Sequence, residues 1–381
     1  MTMNLRPWAV LLIAVASWLP AAAQFDNTAF YNRITTDSTE TGSLSLDFYN
    51  FNYVRNYEFF GPFQDGYTLY GTQLQPRLVY QVHPNLVISA GAWLRKDFGA
   101  NGITDAKPLF QLKYQKASTS LIFGSLEGGL HHRYIEPLYD FERQLTNPVE
   151  YGTQFIIDKE KFFLDAWIAW QKMIYKPSPV KEEILAGLSV EKAAVKNESL
   201  QLSFPAQLMV YHQGGQIDTL KSVPLSTVFN GSAGFKLHKT SAGFLAEVFT
   251  DNYVVAYKDF SPEKRRAYDA GFGLWLNAGL RTQKFGTLIT SFWHGNNFIS
   301  IKGMPLFQSV SQNMGLEGYT EQKRDILMFR YAYQKELLPK LFLDIRLEPH
   351  LDLSSPKVSQ LEFSNSFFLT YREDFRLFKR K

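Results

Sequence analysis

The sequence predicts an all-β protein: a transmembrane antiparallel β-barrel of about sixteen strands, with short turns at one end and long loops at the other. Three observations carry that expectation. Residues 67–96 alternate, with Tyr70, Leu74, Leu78, Tyr80 and Val82 on one parity and Gly71, Gln73, Gln75, Arg77 and Gln81 on the other. Strand side chains point to opposite faces with period two, so one face is apolar and the other polar. Gln and Arg at mid-strand are groups a dry core rejects, whereas tyrosines near both strand ends suit the two rims of a bilayer. The breaks between such runs are short and long in turn along the chain. Beyond the first residues, no apolar run reaches the length of a membrane helix. A closed barrel crosses without one, because every backbone group pairs between strands.

The chain begins with a targeting pattern. Arg6 precedes an apolar core, Trp8–Leu19, and the small residues Ala21, Ala22 and Ala23 come before Gln24. Residues 1–23 therefore read as a cleaved secretory signal. The 381-residue chain has no cysteine, so an exported fold holds without disulfides and no thiolate metal site is available. Forty basic residues against thirty-six acidic ones leave a formal charge of +4. That near balance gives no case for nucleic acid as a partner.

Residues 24–42 are polar and lack a firm period, which reads as a periplasmic lead-in or a short plug. The barrel is placed at 43–378. Its first strand covers 43–54, and the hairpin 67–96 turns at His83-Pro84-Asn85. A strand with Phe110, Leu112 and Tyr114 facing away from Gln111, Lys113 and Gln115 follows, then 119–129. After a long loop come 149–158 and 162–172, the latter alternating Phe162, Leu164, Ala166, Ile168 and Trp170 with Asp165 and Gln171. Paired runs follow at 183–191 and 199–211, 226–237 and 242–250, 267–280 and 286–294, and 324–334 and 341–349. The closing strand is 360–371, extending to 378. Pro76 and Pro205 fall mid-strand, where each removes a ladder donor.

The closing stretch places Leu361, Phe363, Phe367, Leu369, Tyr371, Phe375 and Leu377 on one parity. It resembles the aromatic-rich last strand by which outer-membrane barrels are recognised for insertion, except that Lys379-Arg380-Lys381 follows where an aromatic residue normally ends the chain. In pattern, though through no family-specific motif, nearly the whole mature chain resembles Gram-negative outer-membrane porins. The resemblance implies residence in the outer membrane with lipid bilayer and lipopolysaccharide around the wall. It also implies assembly by barrel-insertion machinery, small hydrophilic solutes as cargo, and a homo-oligomer as one form.

The loop 129–148 is the sharpest functional candidate, since its length exceeds what joining two strands needs and its aromatics argue against disorder. It is expected to fold inward, with Arg133, Glu136, Asp140, Glu142 and Arg143 forming a charged constriction. The plain alternative is an outer-surface loop. Lumen-lining positions by parity include Gln75, Arg77, Arg95, Lys113, Glu127, Glu150, Asp165, Asp269, Arg346 and Glu348, a polar lining of both signs. The seven histidines show no spacing to Ser and Asp or Glu that assigns catalytic roles, and His131-His132 would point apart on a strand. The reading is thus a porin-like passive channel, not an enzyme, with no cofactor, no metal and no catalytic residue. A plugged barrel assisting export or assembly of a surface polymer or lipid is the alternative, and a barrel hydrolase the third.

Overall fold

A computed structural model describes residues 25, 27–215, 217–220, 222–354 and 361–379; the expected signal, 1–23, lies outside them. Sixteen antiparallel strands close into one barrel in which each strand pairs with its sequence neighbours and the last pairs with the first. The first eight are β1 (Ser43–Glu58), β2 (Thr68–His83), β3 (Leu86–Asp97), β4 (Asp105–Lys116), β5 (Thr119–Ser125), β6 (Tyr151–Lys159), β7 (Phe162–Lys172) and β8 (Glu182–Lys196). The rest are β9 (Leu200–Gly214), β10 (Ser226–Thr240), β11 (Leu245–Asp259), β12 (Ala270–Thr282), β13 (Thr287–Asn296), β14 (Lys323–Leu338), β15 (Leu341–Asp352) and β16 (Glu362–Lys379). Connections at one end take two to four residues, and those at the other seven to twenty-six. The two longest, 126–150 and 297–322, belong to the long-loop end.

The wall follows from alternation. Outward positions carry Tyr70, Leu78, Phe110, Phe123, Phe155, Phe204, Phe329 and Phe367, all exposed. Inward positions of the same strands carry buried Gln73, Arg77, Gln111, Lys113, Gln154, Gln207 and Arg330. A one-residue slip would send every polar side chain into lipid, so the register is strongly held. The mid-strand prolines are tolerated by local gaps. Pro76 keeps its place opposite Phe48 on β1, while the β2–β3 ladder is interrupted between Leu74 and Arg77.

One expectation changes and one alternative is decided. The run taken to end at 250 continues to Asp259, because Tyr253, Val255 and Tyr257 alternate with Val254, Ala256 and Lys258. Apolar residues on both parities erased the contrast that marked the strand, and the inward tyrosines exist to meet a packed interior. Of the two alternatives for 24–42, a periplasmic lead-in or a short plug, the described residues follow the second: Phe25, Ala29, Phe30 and Ile34 are buried within the barrel. There Phe30 meets Phe51, Phe141 and Phe368 edge-on.

Candidate functional site

The lumen is packed. The 126–150 loop crosses it and bonds to widely separated strands. Gln73 on β2 donates to the Gln144 and Leu145 carbonyls at 2.9 and 2.8 Å. Gln207 on β9 accepts from the Ile135 amide at 3.1 Å, and Glu136 pairs with Arg330 on β14. The 297–322 loop comes in from the other side. Two backbone bonds join the loops, Asp140 N–H to the Lys302 carbonyl at 2.8 Å and Met304 N–H to the Glu136 carbonyl at 3.1 Å. Gly303 is required at this crossing, since a Cβ there would collide with the Pro137 carbonyl.

Around that crossing lies an apolar cluster. Ile135, Leu138 and Tyr139 from one loop and Phe298, Leu306 and Phe307 from the other pack with Trp167, Met209, Val228, Trp275 and Trp293 of the wall. Buried aromatic and aliphatic side chains each stabilise such a core by about 1.5–3 kcal/mol before ordering costs. A cavity of about 70 Å³ sits between the N-terminal segment and the loop, beside Asn32, Gln75, Arg77 and His131.

The charges predicted for the constriction are taken up by this packing. Arg133 lies over the Phe163 ring at 3.6 Å and pairs with Asp158 at 3.0 Å, while Glu136 is tied to the wall as above. Asp140, Glu142 and Arg143 stand instead around a cavity at the long-loop mouth. Of the predicted lining, Gln75 and Arg77 bond to Asn32, and Arg77 also pairs with Asp47 at 2.7 Å. Arg95 reaches Asp97 and the Thr146 carbonyl; Lys113 reaches Glu127 at 2.6 Å and the Ile34 carbonyl. Arg346 pairs with Asp344 and covers the Phe25 and Phe141 rings, and Glu348 joins Arg55 and Arg330. Asp269 is not in the lumen. It precedes β12 on an exposed loop, where its carbonyl accepts from Asp259 N–H.

Four histidines contact carboxylates. His132 is fully buried between Asp165 at 2.7 Å and Glu150 at 2.9 Å, stacked on Trp167. Burial opposes its charge, but the two carboxylates outweigh burial and raise its pKa to about 9. It is a cation that ties the inward loop to β7. His350 bonds Glu362 inside the barrel, and His238 bonds Glu247 near the short-turn end. His294 differs. Its Nδ1 meets Asp325 Oδ1 at 2.6 Å, and the two side chains are 30% and 33% exposed.

Register explains the position. His294 lies directly across from Asp325. Its flanking residues Trp293 and Gly295 are buried inward, as are Arg324 and Ile326 beside Asp325. Both side chains therefore face away from the lumen, at the long-loop end of the lipid-facing wall. Phe272, half exposed, lies 6.3 Å from the His294 ring, and Leu288 and Phe329 cover the wall nearer the short-turn end. The next outward rung pairs Asn296 with exposed Lys323. A carboxylate on Nδ1 favours the tautomer protonated there, leaving Nε2 as an acceptor able to take a proton. The sequence does not reveal Asp325 as the partner of His294, because register across a 26-residue connection is not written in either strand. Among the described residues, no group of three His, Cys, Asp or Glu side chains is arranged to hold a metal ion.

Architecture and wall chemistry define an outer-membrane β-barrel. Solved structures of that class share the fold. OprD of Pseudomonas aeruginosa superposes with a TM-score of 0.51 at 12% identity over 90% of this chain and 97% of its own. OmpT of Vibrio cholerae, in a loop-deletion form, gives 0.51 at 10% identity over 87% of this chain and 100% of its own. No curated protein matches. A family model described as lipid A 3'-O-deacylase-type matches residues 36–380, and the chain belongs to that family. This overturns the expectation that the protein is not an enzyme. The polar inward face bonds to two loops and the N-terminal segment.

Proposed function

We propose that this barrel is an acyl-ester hydrolase of the outer leaflet, acting on lipid A or a closely related acylated saccharide. His294 is its general base and Asp325 the orienting carboxylate. The observation that carries the reading is the rim position: among the described residues, His294 is the one histidine that joins a carboxylate on the lipid-facing wall. An acylated saccharide in the outer leaflet holds its ester bonds at that level, beside the wall and not inside the lumen. His294 Nε2 takes a proton from water as the oxygen attacks the ester carbonyl. The tetrahedral intermediate collapses, and the imidazolium returns the proton to the departing sugar oxygen, giving a fatty acid and a free hydroxyl. Lys323, one rung further out, supplies positive charge for headgroup phosphate or developing oxyanion.

Family membership supports the reaction class, and the apolar core across the lumen opposes a solute channel. The likeness to porins, at 12% identity or less for the two structures above, bears on architecture alone. The test is to incubate the folded protein in mixed micelles with lipid A and follow lipid mass. Loss of one acyl chain with release of the matching fatty acid is expected. Unchanged lipid over a range of acylated saccharides and pH would exclude the proposal.

A further inference from the structure

Three of the residues expected to form a constriction, Asp140, Glu142 and Arg143, surround a different feature. At the long-loop end, the segments 59–67, 126–150 and 297–322 leave an open cavity of about 280 Å³ lined by Gln64, Asp65, Asp140, Glu142, Arg143 and Lys302. Inside the barrel, charges are matched to charges: Arg77 to Asp47, Lys113 to Glu127, Arg330 to Glu348. Here they are not. Among the described residues, Asp65, Asp140, Glu142, Arg143 and Lys302 make no ion pair with one another or with any other group.

Like charges are neighbours instead. Burial and then Glu142 raise the Asp140 carboxyl, and burial and then Arg143 push Lys302 down to about 8. Two cations and three carboxylates thus share one small cavity; Arg143 draws the Asp140 carboxyl partly back down, the Tyr67 hydroxyl donates to Glu142, and Lys302 donates to Gln171 at 2.9 Å. Gln64, 6% exposed, lines the same cavity, and its amide oxygen is buried with no hydrogen-bond partner.

We infer that this mouth cavity binds a small zwitterion, its phosphate or carboxylate against Arg143 and Lys302 and its ammonium against Asp140 and Glu142. The cavity opens at the end of the barrel and not on the lipid-facing wall, so the ligand arrives from water. The site is separate from the His294 pair and does not rest on the hydrolase reading.

Calorimetric titration of the full-length folded protein tests it, with glucosamine 6-phosphate as the zwitterion and glucosamine and inorganic phosphate as its halves. Saturable binding of the zwitterion, at least roughly tenfold tighter than either half, is expected. Arg143→Gln and Glu142→Gln should each weaken it by roughly tenfold, the first also weakening phosphate and the second glucosamine. Melting temperature for each variant confirms a folded barrel. Equal affinity for halves and whole, full binding by both variants, or no binding by the folded parent overturns the inference.

Discussion

His132 and His294 hold a carboxylate on Nδ1 at nearly the same distance, 2.7 and 2.6 Å, yet they sit in opposite solvents. His132 has its second nitrogen closed off by Glu150 and its ring face by Trp167. Both of its ring nitrogens are taken up, Nδ1 by Asp165 of β7 and Nε2 by Glu150 of the loop itself. His294 has one carboxylate, and its Nε2 has no hydrogen-bond partner among the described residues. The chemistry of the side chain is the same in both places. What differs is whether a proton acceptor is left over for a substrate, and that is decided by which face of a strand, or which loop, carries the ring.

The comparison breaks most visibly if His132 is removed. His132→Ala leaves two buried carboxylates without their shared cation and is expected to cost about 3–5 kcal/mol, read as a lowered urea midpoint for barrel unfolding. Asp325→Asn should leave that midpoint in place. It is expected to lower hydrolysis by about 10²-fold by removing the group that sets the His294 tautomer, measured as initial rate of fatty-acid release. A midpoint that falls with the rate would mean that Asp325 is a structural tie and not an orienting one.

Protonation sharpens the contrast further. The folded His132 pKa is raised above its ordinary 6.5 to about 9. A raised folded pKa means that the tether contributes fully below 6.5 and is lost as pH climbs through about 9. Hydrogen exchange of residues 126–150, corrected for intrinsic rate, should quicken across that window in the parent but not in His132→Gln. The smallest effect belongs to His212. It also faces outward, but its Nδ1 meets only Thr227, at 2.9 Å. His212→Ala should leave the hydrolysis rate unchanged and stability within about 0.5 kcal/mol.

The wall was legible because a half-polar strand declares its faces by parity. Tyr70 and Arg77 could be assigned to lipid and lumen from β2 alone. The inside of the barrel was not legible in the same way. Ile135 and Leu138 lie on a loop with no period, and their partners Trp275 and Trp293 sit on strands more than a hundred residues away. A polar lining reads the same whether water or a folded loop covers it, which is why Gln73 and Gln207 suggested a channel. β11 carried the clue: Tyr253, Val255 and Tyr257 put apolar groups on the inward face, and water does not call for them. The His294–Asp325 pair is a product of register across the 297–322 loop, which the two strands do not encode separately.

The central claim is that the chemistry resides on the outside of a barrel whose interior is structural. Its most direct test is the rate of acyl release from lipid A by the parent and by His294→Ala, each shown to be folded by its melting temperature. The account predicts a fall of about 10²- to 10⁴-fold with the melting temperature unchanged. A His294→Ala protein that releases fatty acid at the parent's rate would contradict it and move the search for the catalytic base elsewhere in the barrel.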